Sequence, residues 1–484
     1  MEIFANLQPS PLLWGILLTA WFMYVVALIG WVILQKRAPV ATISWILVLG
    51  LLPYVGFLIF YFLGPQRLRK QVFRRLRNGV MPYVSDELQT LKNRTSHAPA
   101  DLLQIARLGL GTTGIFPSTA HHVDLLVGGA ETFDAIMAAI AAAQHHVHLE
   151  YYIYHPDRTG TRLRDLLVQK AREGVQVRLL LDALGSKKVR RKFLQPLLDA
   201  GGEVALFHDS RLGRRWRPVI NYRTHRKIVV CDGTTAFTGG VNISDKQDRR
   251  VRSDAYHDLH LRVQGNLVFW LQFVFLEDWC YARDMKIGDC LPEWRQYLKV
   301  ADVGRYDVQL FASGPNNPDE PIHRILVEAI HAARKRVLLT TPYFVPTEAA
   351  MMALTNAALR GVDVQIMVPR QSDSRLVTLA ARSYFDELRG AGVQIWEFEA
   401  RMLHAKTMVV DERFGYIGTA NFDIRSFRLN YEVAVGVYDT GFAEVLAQQF
   451  EREKQLCRPV PQQRLLPFGQ RLLEAAARLA SPML

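Results

Sequence analysis

His225 and Lys227 followed by Asp232, and His404 and Lys406 followed by Asp411, write one pattern twice: H-x-K-x4-D. The agreement runs past the pattern. Fourteen residues beyond each His stands a Gly (Gly239, Gly418), and seventeen beyond stands an Asn (Asn242, Asn421). A histidine that breaks a difficult bond covalently needs a second group to manage the leaving group's proton. Two copies of one constellation supply a nucleophile and an acid on facing halves of a single site. On a strand, residues two apart share a side, so the His and Lys of each copy can point into one cleft. The Asp belongs to the motif and stays in the candidate catalytic set, but it stands where the strand turns and is expected to fix that turn. Two His, two Lys and two Asn around a small anion form a donor-rich array. Such an array suits a phosphate undergoing trigonal-bipyramidal displacement, whose non-bridging oxygens need stabilising.

Each imidazole also needs a carboxylate on its second nitrogen to keep the attacking nitrogen basic. Asp258 and Glu432 are the candidates, each beginning a strand beyond the Asn, at similar though unequal distances from the His of its own half. One H-x-K in a chain of 14 histidines would carry little weight. Two copies that share the Asp, Gly and Asn offsets carry much more.

The elements that must position these residues repeat as well. In the first half, strands are expected at His146 to Tyr154, Val175 to Asp182, Glu203 to Phe207, Lys227 to Asp232, Ala236 to Thr238 and Asp258 to Val263. Helices alternate with them, ending in an aromatic one at Leu267 to Tyr281. The second half repeats the order, with strands at Val337 to Phe344, Val362 to Val368, Val393 to Glu397, Lys406 to Asp411 and Tyr431 to Val437. A single helix is expected at Ser374 to Arg389. The repeat, about 180 residues, is too long for a solenoid and right for two α/β domains, whose apolar strands imply sheets covered on both faces. Two like halves imply a pseudo-twofold axis with a ligand site where they meet.

The chain has 484 residues and a net charge of +13, which points to polyanionic partners, nucleic acid or an anionic membrane. The first 64 residues decide for the membrane. Pro11 to Leu34 and Ala38 to Gly64 are uncharged apolar runs, separated by Lys36 and Arg37, and each reaches the roughly 20 residues a bilayer crossing needs. Met1 to Leu7 has no basic start, so two retained transmembrane helices are expected in place of a cleaved signal peptide. Arg67, Arg69, Lys70, Arg74, Arg75 and Arg77 follow the second run and place the rest of the chain in the cytoplasm by the positive-inside rule. They would also lie on anionic lipid, at about 1 kcal/mol per cation. Cys231, Cys280, Cys290 and Cys457 show no metal-ligand spacing, so no metal or cofactor is expected.

The residues and motifs together resemble the phospholipase D superfamily, whose members carry two HKD motifs, and within it the bacterial cardiolipin synthases. The resemblance runs through NYRTHRKIVVCDG-TTAFTGGVNI, HAKTMVVDERFGYIGTANFDIRSF and the paired N-terminal apolar runs. It implies two tandem α/β/α sandwich domains, at 116–300 and 301–484, preceded by transmembrane helices (1–64) and a basic juxtamembrane linker (65–115). It implies a multi-pass protein of the bacterial inner membrane. It implies metal-independent exchange through a covalent phosphohistidine, with His225 as nucleophile and His404 as general acid, then base. Lys227, Lys406, Asn242 and Asn421 would serve the phosphate, and Asp258 and Glu432 would stand behind the histidines. The implied reaction joins two phosphatidylglycerols into cardiolipin and glycerol. A membrane phospholipase D using water as acceptor would share these residues. A nuclease would too, but the apolar runs argue against nucleic acid, and two intact motifs argue against a non-catalytic scaffold. One departure is Thr419, where the first half has Gly240, so the two half-sites need not be equivalent.

Three other clusters carry less. His146 and His148 face one side of a strand and His145 the other, which disfavours a shared metal with Glu150. His121 and His122 read the same way. Arg211 to Arg226 interleaves cations with Trp216 and Tyr222, as a rim touching anionic headgroups would.

Overall fold

The computed structural model describes residues 11–34, 39–52, 55–56, 85–93, 99–208, 221–285 and 293–483. Lys36 and Arg37, the cations from Arg67 to Arg77, Cys290, and the Arg211 to Ile220 stretch of the basic loop lie outside them. Among the described residues the chain is a mixed α/β protein, and it divides into two compact units.

The N-terminal unit holds helix Pro11–Ile33, whose stretch from Trp14 to Ile33 has a mean hydropathy of 2.3 and is long enough to cross a membrane. Its side chains are largely exposed, Phe22 by 63% and Met23 by 61%, as befits a surface meant for something other than water. The next helix, Pro39–Leu51, is 13 residues long, shorter than a bilayer crossing requires. Among the described residues one helix of spanning length is found where two were expected. The remainder of the expected second span falls largely outside the described residues.

The larger unit, Leu68–Asp209 with Tyr222–Leu484, contains both halves of the repeat. The first half supplies β1 (Ser118–Val127), β2 (His146–Tyr151), β3 (Gln176–Asp182), β4 (Glu203–Phe207), β5 (Arg223–Thr224), β6 (Lys227–Cys231), β7 (Thr235–Gly239) and β8 (Leu259–Gly265). The second supplies β9 (Tyr306–Ser313), β10 (Arg336–Thr340), β11 (Phe344–Val345), β12 (Asp363–Pro369), β13 (Gln394–Phe398), β14 (Thr407–Val410), β15 (Phe414–Gly418), β16 (Phe422–Asp423), β17 (Asn430–Val437) and β18 (Cys457–Pro459).

The halves are stitched into one sheet, in the order β18-β13-β12-β10-β14-β15-β17-β9-β1-β8-β7-β6-β2-β3-β4. Apart from β18, the order mirrors itself about the β9–β1 seam. That seam is antiparallel, with Ser118 opposite Val308 and Ala120 opposite Tyr306. Neither seam strand was among those expected from sequence. The expected Ser374 to Arg389 helix is broken into Arg375–Arg382 and Phe385–Gly390.

The strands read as unbroken apolar runs because both faces are covered. In β3, Leu179 and Leu181 enter one core while Leu180 enters another. In the second half, Leu339 and Ile366 pack on one side, and Leu338 and Met367 on the other. Helix Asn266–Ala282 is buried all round from Asn266 to Tyr281, which explains why it carries aromatic residues without an amphipathic stripe. Burying a large apolar side chain such as Phe269 or Leu276 contributes roughly 1.5–3 kcal/mol. The core containing this helix also takes in Ala405, Val409 and Ile417, so one layer of packing spans both halves.

Candidate active site

Backbone pairing delivers each motif to the opposite half. β5, just before His225, pairs in parallel with β17, Arg223 opposite Asn430 and Thr224 opposite Tyr431. The His225 amide then donates to the Tyr431 carbonyl at 2.9 Å. The same device recurs at the second motif, where His257 and Leu403 form a parallel bridge and the His404 amide donates to the His257 carbonyl at 2.6 Å. The next residue on each partner segment is the carboxylate. Consequently Glu432 of the second half receives His225, with Nδ1 3.0 Å from both Oε atoms. Asp258 of the first half receives His404, Nδ1 lying 2.5 Å from Oδ2. The expected pairing within each half is corrected to a crossed one. Carboxylates on both Nδ1 atoms place the ring hydrogens there and leave Nε2 of each ring as the nitrogen available to a ligand.

The two half-sites are not equivalent. Glu432 also accepts from the Thr419 hydroxyl at 2.5 Å and from Asn430 Nδ2 at 3.1 Å. Asp258 instead takes the Leu259 amide at 2.9 Å and crowds Gly240, where an added Cβ would come within 1.9 Å of Oδ1. The Gly240/Thr419 difference is therefore matched to the carboxylate beside each: one leaves room for Asp258, the other donates to Glu432. Arg226, whose counterpart in the second motif is Ala405, adds a further asymmetry. Its guanidinium bonds Asp278, the Ser313 carbonyl at 3.2 Å and the Glu432 carbonyl at 3.3 Å.

Burial sets the ionisation. The His225 imidazole is pushed down to about 4 by burial, aided by Lys227, against the pull of Glu432. Burial likewise lowers His404. Burial alone would raise Glu432, yet His225, Lys227 and Thr419 hold it at about 2. Asp258, with Lys406 and His404 beside it, is likewise held below the ordinary carboxylate range against its burial. The His225–Glu432 pair is thus neutral imidazole against carboxylate near pH 7, the resting state a nitrogen nucleophile requires. Lys227 and Lys406 are buried next to them and drop to about 7 and about 8 through desolvation. Lys227 Nζ donates to the His225 carbonyl at 2.7 Å, while Lys406 Nζ bonds the His404 carbonyl and lies 3.0 Å from His404 Nδ1.

His225, His404, Asn242 and Asn421 all line one cavity of about 470 Å³. Asp232 and Asp411 are not brought to it. Asp232 accepts the amides of Gln144, His145 and His146 at 2.8–3.0 Å, and Asp411 accepts those of Arg334, Lys335 and Arg336 at 2.7–2.8 Å. Each sits with positive φ, 55° and 51°, at the turn that follows its motif strand. They tie β6 to β2 and β14 to β10, and their place among the catalytic candidates gives way to this turn-fixing one.

Several lining residues escaped the sequence reading. The Tyr152 ring lies 5.0 Å from that of His225, and Tyr256 lies 5.8 Å from His404. Tyr343, Asp373, Asp423 and Arg425 complete much of the wall. Asp423 caps the helix Ile424–Arg428 through the Ser426 amide, and burial raises its carboxyl to about 6. The N-F-D-x-R order beginning at Asn421 has no counterpart at Asn242, so duplication could not flag it. His146 and His148 are buried and share Gln272, at 3.1 and 2.9 Å. Among the described residues, no group of three or more His, Cys, Asp or Glu is arranged to hold a metal ion.

Comparison with known proteins agrees with this architecture. A family model described as "Cardiolipin synthase, PLD-like domain" matches residues 136–252 and 326–454, one copy around each motif. Cardiolipin synthase 2 of Bacillus anthracis is 38% identical over 472 residues, covering 94% of this chain and 90% of that protein. The major cardiolipin synthase of Bacillus subtilis strain 168 is 35% identical over 487 residues, covering 97% and 99%. Among solved structures, the phosphatidylserine synthase of Haemophilus influenzae Rd KW20 superposes with a TM-score of 0.58 at 16% identity, covering 79% of this chain and all of that one, a likeness of fold. With both halves matched and relatives aligned nearly end to end, the chain belongs to the cardiolipin synthase family of phospholipase D-like proteins.

Proposed function

We propose that the protein is a cardiolipin synthase, a phosphatidyltransferase that joins two phosphatidylglycerols and releases glycerol. The observation that carries this reading is the crossed pair of imidazoles, each with a carboxylate on Nδ1, lining a single cavity. His225 Nε2 attacks the phosphorus of the first lipid, and Glu432 offsets the positive charge that grows on the ring. His404, carrying a proton on Nε2 with Asp258 offsetting the imidazolium charge, gives that proton to the departing glycerol and regains one from the incoming headgroup hydroxyl as that oxygen attacks the phosphatidyl-histidine. Asn242 and Asn421 bind or orient the phosphate through their amide nitrogens, which leaves Asn421 Oδ1 to accept from another group. Lys227 and Lys406 supply positive potential from behind the histidines, and the approach of the anionic phosphodiester favours their charged forms. Asp232 and Asp411 hold the turns.

The relatives' name, cardiolipin synthase, and the apolar helix Trp14–Ile33 support a membrane-bound enzyme acting on anionic lipid. Two spans, cytoplasmic catalytic halves, two domains near 116–300 and 301–484 and a pseudo-twofold axis at the β9–β1 seam complete the proposal. The test is incubation of membranes containing the protein with labelled phosphatidylglycerol and no added metal. Cardiolipin with an equal yield of glycerol is expected, and His225→Asn and His404→Asn should each abolish it. Phosphatidic acid as sole product would move the reading to hydrolysis.

A further inference from the structure

One end of the cavity is furnished for something other than a phosphate under attack. The Tyr343 hydroxyl donates to Asp373 Oδ1 at 2.7 Å, and both residues line the cavity. Tyr256, which faces His404, has Lys246 Nζ 5.8 Å from its ring centroid, and these two also line the wall. Asn421 Oδ1 is buried on the wall with no hydrogen-bond partner among the described residues. The end beside His225 differs, offering Tyr152 and the cation Arg425. A carboxylate and an unsatisfied amide oxygen repel phosphate oxygens but accept from hydroxyls. An exposed ammonium at the same end suits a phosphodiester.

We propose that Tyr343, Asp373, Tyr256 and Lys246 form the subsite for the headgroup of the second lipid. This deepens the phosphatidyl-transfer reading and rests on it. Asp373 and Asn421 Oδ1 take the free hydroxyl of the acceptor's glycerol, and Lys246 meets that lipid's own phosphodiester. The terminal hydroxyl is thereby presented to His404. In the step so arranged, the acceptor oxygen forms a bond to phosphorus and its proton passes to His404 Nε2. The bond from phosphorus to His225 Nε2 breaks, and its electron pair returns to a neutral imidazole. No further reactant is needed.

Ethanol is a suitable competing acceptor, having one hydroxyl and no phosphodiester. The full-length protein is supplied with phosphatidylglycerol vesicles and a fixed ethanol concentration, and the ratio of cardiolipin to phosphatidylethanol is measured. That ratio reports how the phosphatidyl-enzyme partitions and does not depend on how fast it forms, so a variant that is merely slow leaves it unchanged. Asp373→Ala and Lys246→Ala should each lower the ratio about tenfold, the loss of one charge-assisted contact. A ratio within twofold of wild type in both variants would overturn the subsite. A fall with Asp373→Ala alone would keep the hydroxyl contact and remove the phosphodiester contact. A wild-type protein forming neither product would overturn the phosphatidyl-transfer reading itself.

Discussion

Glu432→Gln is the perturbation that most directly tests the crossed site. The carboxylate lies 3.0 Å from His225 Nδ1 through either oxygen and is fully buried, so its charge acts where water cannot screen it. In the proposed step His225 attacks phosphorus and its ring becomes cationic. Two unit charges about 4 Å apart at an effective dielectric near 20 interact by about 4 kcal/mol. Removing that stabilisation from the transition state while keeping the side chain's shape should slow the step roughly 10³-fold. The amide can still accept from Thr419 and from Nδ1, so the fold should survive. The assay is single-turnover formation of the phosphatidyl-enzyme from labelled lipid, run with a melting curve on the same preparation. Less than tenfold loss, with the melting curve unchanged, would refute the assignment of Glu432 to His225. Asp258→Asn supplies the contrast: it should impair proton transfer through His404 in both half-reactions without removing the charge that supports His225.

Two further outcomes follow from the same geometry. Asp232→Ala removes the acceptor of three backbone amides and puts alanine at φ 55°, so it should destabilise the fold by about 3 kcal/mol. Activity per folded molecule should stay within about twofold, and a large loss of activity with normal melting would return Asp232 to the chemistry. The pH profile of kcat/KM should fall on its alkaline side. Lys227 and Lys406 are lowered to about 7 and about 8, so both lose their charge as pH rises through that window, and with it the attraction for phosphate. His225, at about 4, is already neutral there and sets no limit above that value. A flat profile from pH 6 to pH 9 would show that the lysine charges do not serve the free enzyme.

The asymmetry between the half-sites bears on which histidine attacks. Glu432 has two side-chain donors besides His225, and the strand that carries it is gripped by Arg226 through its carbonyl. Asp258 has neither. The better-braced carboxylate stands behind His225, consistent with a nucleophile that must carry charge through an intermediate.

Sequence alone determined the chemistry's inventory. Two histidines, two lysines and two asparagines at equal offsets are a local pattern, and local patterns survive in one dimension. It also determined most strands, because a sheet covered on both faces imposes long apolar runs such as VQVRLLLD and VDVQIMV. The duplicated order of elements was legible for the same reason. Tertiary structure decided what spacing cannot encode. Spacing ties Asp258 and Glu432 to their own halves, yet the β5–β17 pairing and the His257–Leu403 bridge hand each to the other histidine, across 146 and 207 residues of chain. The seam strands β1 and β9 were missed because polar residues such as His121, His122, Asp124, Asp307 and Gln309 interrupt their apolar runs. Tyr256, Tyr343 and Asp373 were missed because they come from unrelated loops that converge only after folding. A covalent motif is written along the chain, but the environment that tunes it is assembled across the fold, where contacts between distant residues set burial, charge and shape.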